Sequence, residues 1–591
     1  MEPTEDVMRS AHELPSKLLD VDLTPDTDQL LQWFRSEHQG QIHKLVDVRN
    51  TADSGLSFQV RRSSPAGVQA DEPVVVCPIS TSLSYLNALG GGRPLGKAST
   101  QDGGAIRPAF SPEFMQQVPP HVIGRFFLMQ QVLKGQDSAW APYIATLPQP
   151  QNYNAWALPA VWRKVGEEKG SDIALALLKG TNADVAAEEM RQRIDTEFRA
   201  AWAVLQDPQY TFALYQWAYC IFTSRSFRPS LVLTDEIKAV LTRDANGAAQ
   251  DGSSIDPRYL AAVNHARLPE GCGTDDFSIL FPVLDIGNHD PRASITWQPV
   301  VDASRQSLNS STVLTPAPSG TNEHAIVFYT GTVYGQGQEV FNNYGLKTNS
   351  ELLVGYGFTL PPEDNMHNDY VHLRKRGALA HGVSDGVAGH VDTHPDFLLS
   401  LRPIAEPSSV VGRARLPRDQ QVDSMPESRR SPGFSLIEDG LLWDMLSHMI
   451  KPEDRETLQR AAVAAFHGQQ YLTLPVDDVN AIVPLAELRE AIMDLVFQTK
   501  FSEDGSSIFA QHSRNIHFVL LQKFDNDLET LQDTDPPSYI AALLEDGEYV
   551  AKTRQERLAM EYREQYRAVL SSAVDVLGEE MSNVMAQEGE A

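Results

Sequence analysis

Two short segments carry the residue types that could do chemistry. The first, Phe281–Pro291 (FPVLDIGNHDP), runs an apolar stretch straight into Asp285, Gly287, Asn288, His289 and Asp290. The second, Glu339–Phe358 (EVFNNYGLKTNSELLVGYGF), begins about fifty residues downstream and sets Asn342, Asn343, Tyr344, Gly345, Asn349, Tyr356 and Gly357 among apolar residues. Singly, each has a plain reading. Asn-His-Asp after a buried strand caps a turn, and a tyrosine before a glycine buries its ring and satisfies its hydroxyl. A strand–turn–helix corner, however, needs one glycine and a capping residue. Both corners carry more polar and aromatic side chains than that.

Other chemistries lack their residues. Gly382–Gly386 (GVSDG) matches the nucleophile-elbow pattern, but that mechanism needs a buried strand before the serine and a helix after it. Neither LRKRGALAH nor VAGHVDTHPD supplies one. GGGRPLG likewise has no strand before it and no helix after it, so it is not a phosphate loop. No His-Glu-x-x-His and no Cys-x-x-Cys pairing marks a zinc site, and no metal is expected. Cys77, Cys220 and Cys272 are too few and too widely spaced for a disulfide framework. They fit a reducing compartment, cytosol or nucleus. The net charge of −29, from 78 acidic and 49 basic residues, repels a phosphate backbone and attracts basic protein surfaces. The charge fits a basic protein partner and, equally, simple solubility; nucleic acid is not an expected partner. No apolar run reaches the roughly 18 residues of a membrane span, and the acidic N-terminus has no apolar core of a secretory signal.

The elements that must position the two segments can be read from periodicity. At 591 residues the chain exceeds what one core usually supports, so two or three domains are expected. Residues 24–40 read as a short helix with Thr27 as N-cap, followed by β-like runs at IHKLVDV, LSFQV and EPVVVCP. Between about 121 and 227 the pattern turns helical, at HVIGRFFLMQQVLKG, AAEEMRQRIDTEFRAAWAVL and FALYQWAYCIFTSRSF. Residues 241–276 read as an acidic loop. Strand-like pieces return at FSILFPVLDI, ASITWQPVV, HAIVFYTG and QEVFNNY, residues 375–432 have the composition of linker, and 436–591 is mostly helical. Within the last, Leu558, Tyr562, Tyr566, Leu570, Ala573 and Leu577 form one stripe, the core face of a bundle.

Read jointly, DIGNHDP and NNYG-LKTNSELLVGYGF resemble the two signature segments of SET-domain methyltransferases, in the longer form of the Rubisco large-subunit methyltransferase-like branch. That branch includes ribosomal-protein lysine methyltransferases and the actin histidine methyltransferase. YQWAYCIFTSRSF is similar to the end of its helical insertion, and ADEPVVVCP to its Gly-Glu-x-Leu-x-x-Val-Pro run. SGLSFQV departs from the usual Gly-x-Gly-Leu, with Ser57 at the second glycine and Gln59 where a basic residue is common. The resemblance implies an α+β fold: a SET β-fold over 20–358, split by a helical insertion at about 100–227, then linker and long loops with the start of the C-terminal domain over 359–435. An all-helical substrate-binding domain over 436–591 completes it, in place of a cysteine-rich zinc module.

The resemblance also implies a chemistry. Its cofactor is S-adenosylmethionine, with Glu72, Arg225, Asp285, Asn288, His289, Tyr356, Gly357 and Phe358 as cofactor-contacting residues. Tyr344 is the catalytic residue at the methyl-transfer point, and Phe227 lines the substrate channel. The expected activity is protein-lysine N-methylation of a non-histone protein, a ribosomal protein being one candidate, by a monomer in cytoplasm or nucleus. A protein-histidine methyltransferase on the same fold and an inactive SET-derived binding protein are the alternatives.

Overall fold

The structure is a computed structural model. It describes residues 14–15, 27–51, 55–63, 66–96, 107–162, 169–242, 257–301, 312–315, 324–363, 366–374, 396–415, 430–473, 484–498, 507–545 and 549–590. The GVSDG match and most of the expected linker lie outside these residues. The chain divides into two compact units, one of Met1–Val161, Glu188–Gly345 and Gly382–Asp392, the other of Trp162–Ala187, Leu346–His381 and Thr393–Ala591.

The first unit is built on small antiparallel sheets. Strands β1 (Gln41–Ile42), β2 (Val46–Thr51), β3 (Gly55–Val60), β4 (Glu72–Pro78) and β5 (Leu83–Ser84) precede the helical insertion. After it come β6 (Ser226–Phe227), β7 (Ile279–Leu280), β8 (Ile295–Val300), β9 (Ala325–Thr330) and β10 (Glu339–Val340). They pair in the orders β1-β4-β9-β8, β10-β3-β2 and β5-β7-β6. Val74, Val75, Val76 and Cys77 of β4 are all fully buried, as a continuous apolar run in a central strand must be. On β8, half-buried Ile295, Trp297 and Pro299 alternate with exposed Thr296 and Gln298. That edge position tolerates the proline.

In the insertion, helix α1 (Pro120–Lys134) packs against α4 (Phe212–Arg225), and between them come α2 (Ala141–Ile144) and α3 (Asn182–Leu205). Glu197 gathers several of the polar groups buried here. Glu197 forms an ion pair with Arg125, accepts from the Tyr215 hydroxyl at 2.7 Å and meets His121 Nε2 at 3.1 Å.

The second unit is mainly helical. Helix α5 (Asn349–Tyr356) is followed by an antiparallel pair, β11 (Tyr370–Leu373) with β12 (Phe397–Ser400), and by helices ending in α6 (Arg554–Glu590). The predicted stripe on α6 is buried at all six positions. Arg563, also buried, donates to the carbonyls of Leu177 and Lys179 at 2.9 and 2.7 Å and pairs with Asp535 at 2.7 Å.

The α+β class and most element positions agree with the sequence. The strand-like runs at the two signature segments are shorter than expected, two residues each, Ile279–Leu280 and Glu339–Val340. Pro282 lacks a ladder donor, and Val283 at φ +75° turns the chain into a 3-10 turn, Leu284–Ile286. Within the expected acidic loop a short helix covers Pro257–Ala262. In the C-terminal region a 26-residue helix over Ile508–Asp533 went unnoticed in the sequence. Among the described residues no helix is long and apolar enough to cross a membrane.

Candidate active site

The two signature segments pair directly in the first unit. His289 and Asn342 form a parallel bridge, in which Asn342 N donates to Asn288 O at 2.7 Å and Asp290 N to Asn342 O at 2.9 Å. Gly287 makes this crossing close: a Cβ there would sit 3.0 Å from Asn342 Cβ and 3.6 Å from the ring of Phe58 on β3, so a side chain would crowd Asn342. Side chains reinforce the bridge. Asn288 Nδ2 donates to Glu339 Oε1 at 2.7 Å. Burial raises the Glu339 carboxyl, and that donated bond partly offsets the rise. Asn343 Nδ2 reaches the carbonyls of Pro291 and Ala293 at 3.2 and 3.0 Å, while its Oδ1 accepts from Gly345 N at 2.9 Å. Gly345 stands at φ +95°, a conformation that suits glycine. The polar excess of this corner is thereby explained.

Tyr344 is fixed at three points. Its N–H donates to His289 Nδ1 at 3.1 Å, its hydroxyl donates to Gly287 O at 3.0 Å, and its ring stacks on the imidazole with centroids 5.0 Å apart at 12°. Because Nδ1 accepts, the neutral His289 ring carries its proton on Nε2. The phenol proton is committed to a carbonyl, so the hydroxyl orients rather than protonates.

Asp285 lies just before this clasp, its side chain 1% exposed. Its Oδ2 accepts from the Tyr143 hydroxyl at 2.8 Å and faces Arg225 Nη1 at 3.6 Å, and Arg225 Nη1 also donates to Asp285 O at 3.4 Å. Asp285 Oδ1 is buried without a hydrogen-bond partner. Burial raises the Asp285 carboxyl, against the lowering pull of Arg225 and the Tyr143 bond. Tyr143 is pushed up by burial and by the neighbouring carboxylate. The Arg225 side chain keeps 27% of its surface exposed.

Phe227 is buried on β6, edge-on to Phe281 (6.2 Å, 73°) and to Trp297 (5.4 Å, 88°). Glu72 opens β4, opposite Thr330 of β9, and its Oε2 meets His43 Nε2 at 3.2 Å and accepts from Gln69 N at 2.8 Å. Gln59 pairs with Glu339, and its Nε2 donates to Gly337 O at 3.0 Å. Ser57 is buried on β3 opposite Arg49.

Tyr356, Gly357 and Phe358 fall in the second unit. Thr348 and Glu351 form a capping box at the start of α5, Gly357 ends it at φ +76°, and Arg554 Nη2 donates to Gly357 O at 2.7 Å. The rings of Tyr356 and Phe358 stand T-shaped at 6.4 Å. Asn349 binds Leu360 O and Gln565 Oε1 at 2.8 and 2.7 Å, which stitches α5 to α6.

The structure thus joins Asn288, His289 and Tyr344 in one cluster, Asp285 and Arg225 in a second, and Phe227 with Phe281 in a third. Tyr143, Trp297, Asn343 and Glu339 were missed as site residues. The first two lie in segments without a motif, and only the amide-rich spelling of Asn342–Asn343 gave a signal. Among the described residues no group of three or more His, Cys, Asp or Glu is arranged to hold a metal ion.

Comparison with known proteins agrees with the sequence resemblance. No family model matches the chain. The chain is 24% identical over 350 residues to the ribosomal lysine N-methyltransferase set10 of Schizosaccharomyces pombe, covering 57% of this chain and 48% of that protein. It is 28% identical over 194 residues to ribosomal lysine N-methyltransferase 1 of Saccharomyces cerevisiae, covering 32% and 21%. It is 26% identical over 155 residues to protein-lysine N-methyltransferase EFM1 of the same yeast, covering 26% and 17%. The chain spans about half or less of the length of these relatives. Among solved structures, the SET domain of LSMT bound to lysine and AdoHcy has a TM-score of 0.47 at 14% identity, covering 95% of this chain and 92% of that one. The chain is similar to protein-lysine methyltransferases. Within that class, two of the three relatives named here are ribosomal lysine methyltransferases.

Proposed function

We propose that this chain is an S-adenosylmethionine-dependent protein-lysine N-methyltransferase acting on a basic protein, with ribosomal proteins the first candidates. The observation that carries the reading is Tyr344, pinned by His289 and by Gly287 O where the two signature segments cross. The residues present suit the cofactor. The partly exposed Arg225 side chain offers a cation for a carboxylate, and the orphaned, buried Asp285 Oδ1 suits an ammonium. Glu72, Asn288 and His289 complete the proposed contacts. When bound, S-adenosylmethionine supplies a methyl group on a sulfonium for in-line displacement.

This chain's residues then have three tasks. Phe227, with Phe281 and Trp297, supplies a dry aromatic wall that desolvates the incoming amine. A lysine amine, with an ordinary pKa of about 10.4, loses its proton more readily in such a wall and beside a positive centre. Tyr344 orients the neutral nitrogen through its phenol oxygen. No carboxylate base is required, since both effects lower the amine pKa. The net charge of −29 would draw in a basic substrate. Three cysteines without a disulfide suit the reducing cytosol or nucleus.

Calorimetry with S-adenosylmethionine and labelling of hypomethylated extract with methyl-labelled cofactor test the reading together. Binding and label on lysine are expected. Absence of binding would sink it, and label on histidine would move it to the other amino acid. Tyr344→Phe is expected to bind cofactor as before and to turn over much more slowly.

A further inference from the structure

Tyr143 was singled out by nothing in the sequence, yet it supplies the one short side-chain hydrogen bond that Asp285 receives. It comes from a different part of the chain, 142 residues before Asp285. Its mount is rigid. Helix α2 follows Trp140, a fully buried residue whose indole N–H is shared between the carbonyls of Thr81 and Ser82 at 3.0 and 3.1 Å. The Tyr143 carbonyl in turn accepts from Thr146 Oγ1 at 2.7 Å.

Arg225, by contrast, touches Asp285 only through two long contacts, 3.6 Å to the carboxylate and 3.4 Å to the main-chain oxygen. The orientation of the carboxylate therefore decides where the guanidinium rests, and Tyr143 decides the orientation of the carboxylate. We propose that Tyr143 is a positioning residue for the ligand anion held by Arg225: through Asp285 it aims the guanidinium. This rests on the reading of Arg225 as a cofactor contact.

A consequence follows for pH. The titratable groups facing this point are Asp285 on the 3-10 turn, Arg225 on α4, Tyr143 on α2 and Cys77 on β4, which faces Tyr143. Asp285 is already raised by burial, with Tyr143 and Arg225 holding it down. Without the phenol the carboxyl rises further, protonates at a higher pH and releases Arg225. Ligand affinity in Tyr143→Phe should therefore fall as pH falls, over a range where the native protein is still level. A hydrogen bond to a charged group is worth about tenfold in an equilibrium constant, and roughly that loss is expected.

The experiment is calorimetric titration of the full chain with S-adenosylhomocysteine at pH 8 and pH 6, on the native protein, Tyr143→Phe, Asp285→Asn and the double variant. Expected are about tenfold weaker binding in Tyr143→Phe, widening at pH 6, and no further loss when Tyr143→Phe is added to Asp285→Asn. Asp285→Asn should bind weakly at both pH values alike. If the native protein does not bind, the reading of the site fails and this inference with it. If the native protein binds and Tyr143→Phe binds equally well at both pH values, the inference alone fails. Additive losses in the double variant also overturn it. Should Tyr143→Phe not fold, an Asp285→Asn variant that binds as tightly as the native protein at both pH values would refute it.

Discussion

Asn343 is the most informative residue to change, because two of its side-chain hydrogen bonds tie the segment that carries Tyr344 to the segment that carries His289 and a third holds Gly345 N. Replacement by alanine removes the donors to Pro291 O and Ala293 O and the acceptor for Gly345 N. Each bond contributes about 1 kcal/mol net. Asn343 is half-buried, so water partly replaces them, and a loss of about 2 kcal/mol is expected. Asn343→Asp is the sharper probe. It keeps the acceptor for Gly345 N but sets a carboxylate oxygen where an amide nitrogen stood, 3.0 and 3.2 Å from two carbonyl oxygens. That arrangement should cost about 1 kcal/mol more than alanine. The sign with pH is fixed. The carboxyl is raised in the folded state, where its neutral form can donate to a carbonyl. The excess cost is therefore present at neutral pH and disappears as pH falls through the raised value. Urea denaturation followed by hydrogen exchange of the peptide spanning 339–345 reads this in the first unit alone. An alanine variant as stable as the native protein, or an aspartate variant no worse than alanine at pH 7, would refute the account of the corner.

Two other outcomes follow from the buried ion pairs. Burial raises the Glu197 carboxyl, but Arg125, His121 and Tyr215 outweigh it and bring it to about 2. Its contribution is thus present above the unfolded value of about 4.3 and lost as pH falls toward 2, so Glu197→Gln should flatten the acid side of the stability profile measured by urea melts. Arg563→Met leaves Asp535 to Arg567 and removes the guanidinium donors to the carbonyls of Leu177, Lys179 and Leu531, and should cost the second unit about 2–3 kcal/mol. Arg563→Lys should rescue little, since an ammonium lacks the fork that reaches several acceptors at once; full rescue in a denaturation series would contradict this.

Local chemistry was legible in the sequence, and distant chemistry was not. The apolar run of β4 and the stripe on α6 can be read because burial repeats with the period of the element. Asn288, His289 and Tyr344 stood out because several scarce residue types crowd into two short segments. Tyr143 could not stand out. It sits in a short helix of ordinary composition, and its use to Asp285 exists only once the insertion has folded against the core. Trp297 reads as one residue of a strand, and its ring meets that of Phe227 only because two different sheets come together there. The shortness of the two signature strands was hidden for the opposite reason. An apolar run ending in Pro282 and Val283 looks extended, and only the positive φ of Val283 reveals the turn.

The stretch Glu339–Phe358 shows why a continuous motif need not be one structural part. As far as Gly345 it belongs to the first unit, where Asn342 bridges to His289, Asn343 clasps Pro291 and Ala293, and Tyr344 rests on the imidazole. From Leu346 it belongs to the second, where Thr348, Glu351, Asn349 and Gly357 are spent on capping a helix and stitching it to α6. Its polar residues therefore divide by purpose. Those before Gly345 place a phenol, and those after it close a helix. Gly345 at φ +95° is the joint between the two, with no atom within 4 Å of where a Cβ would stand. It is glycine because the backbone turns there.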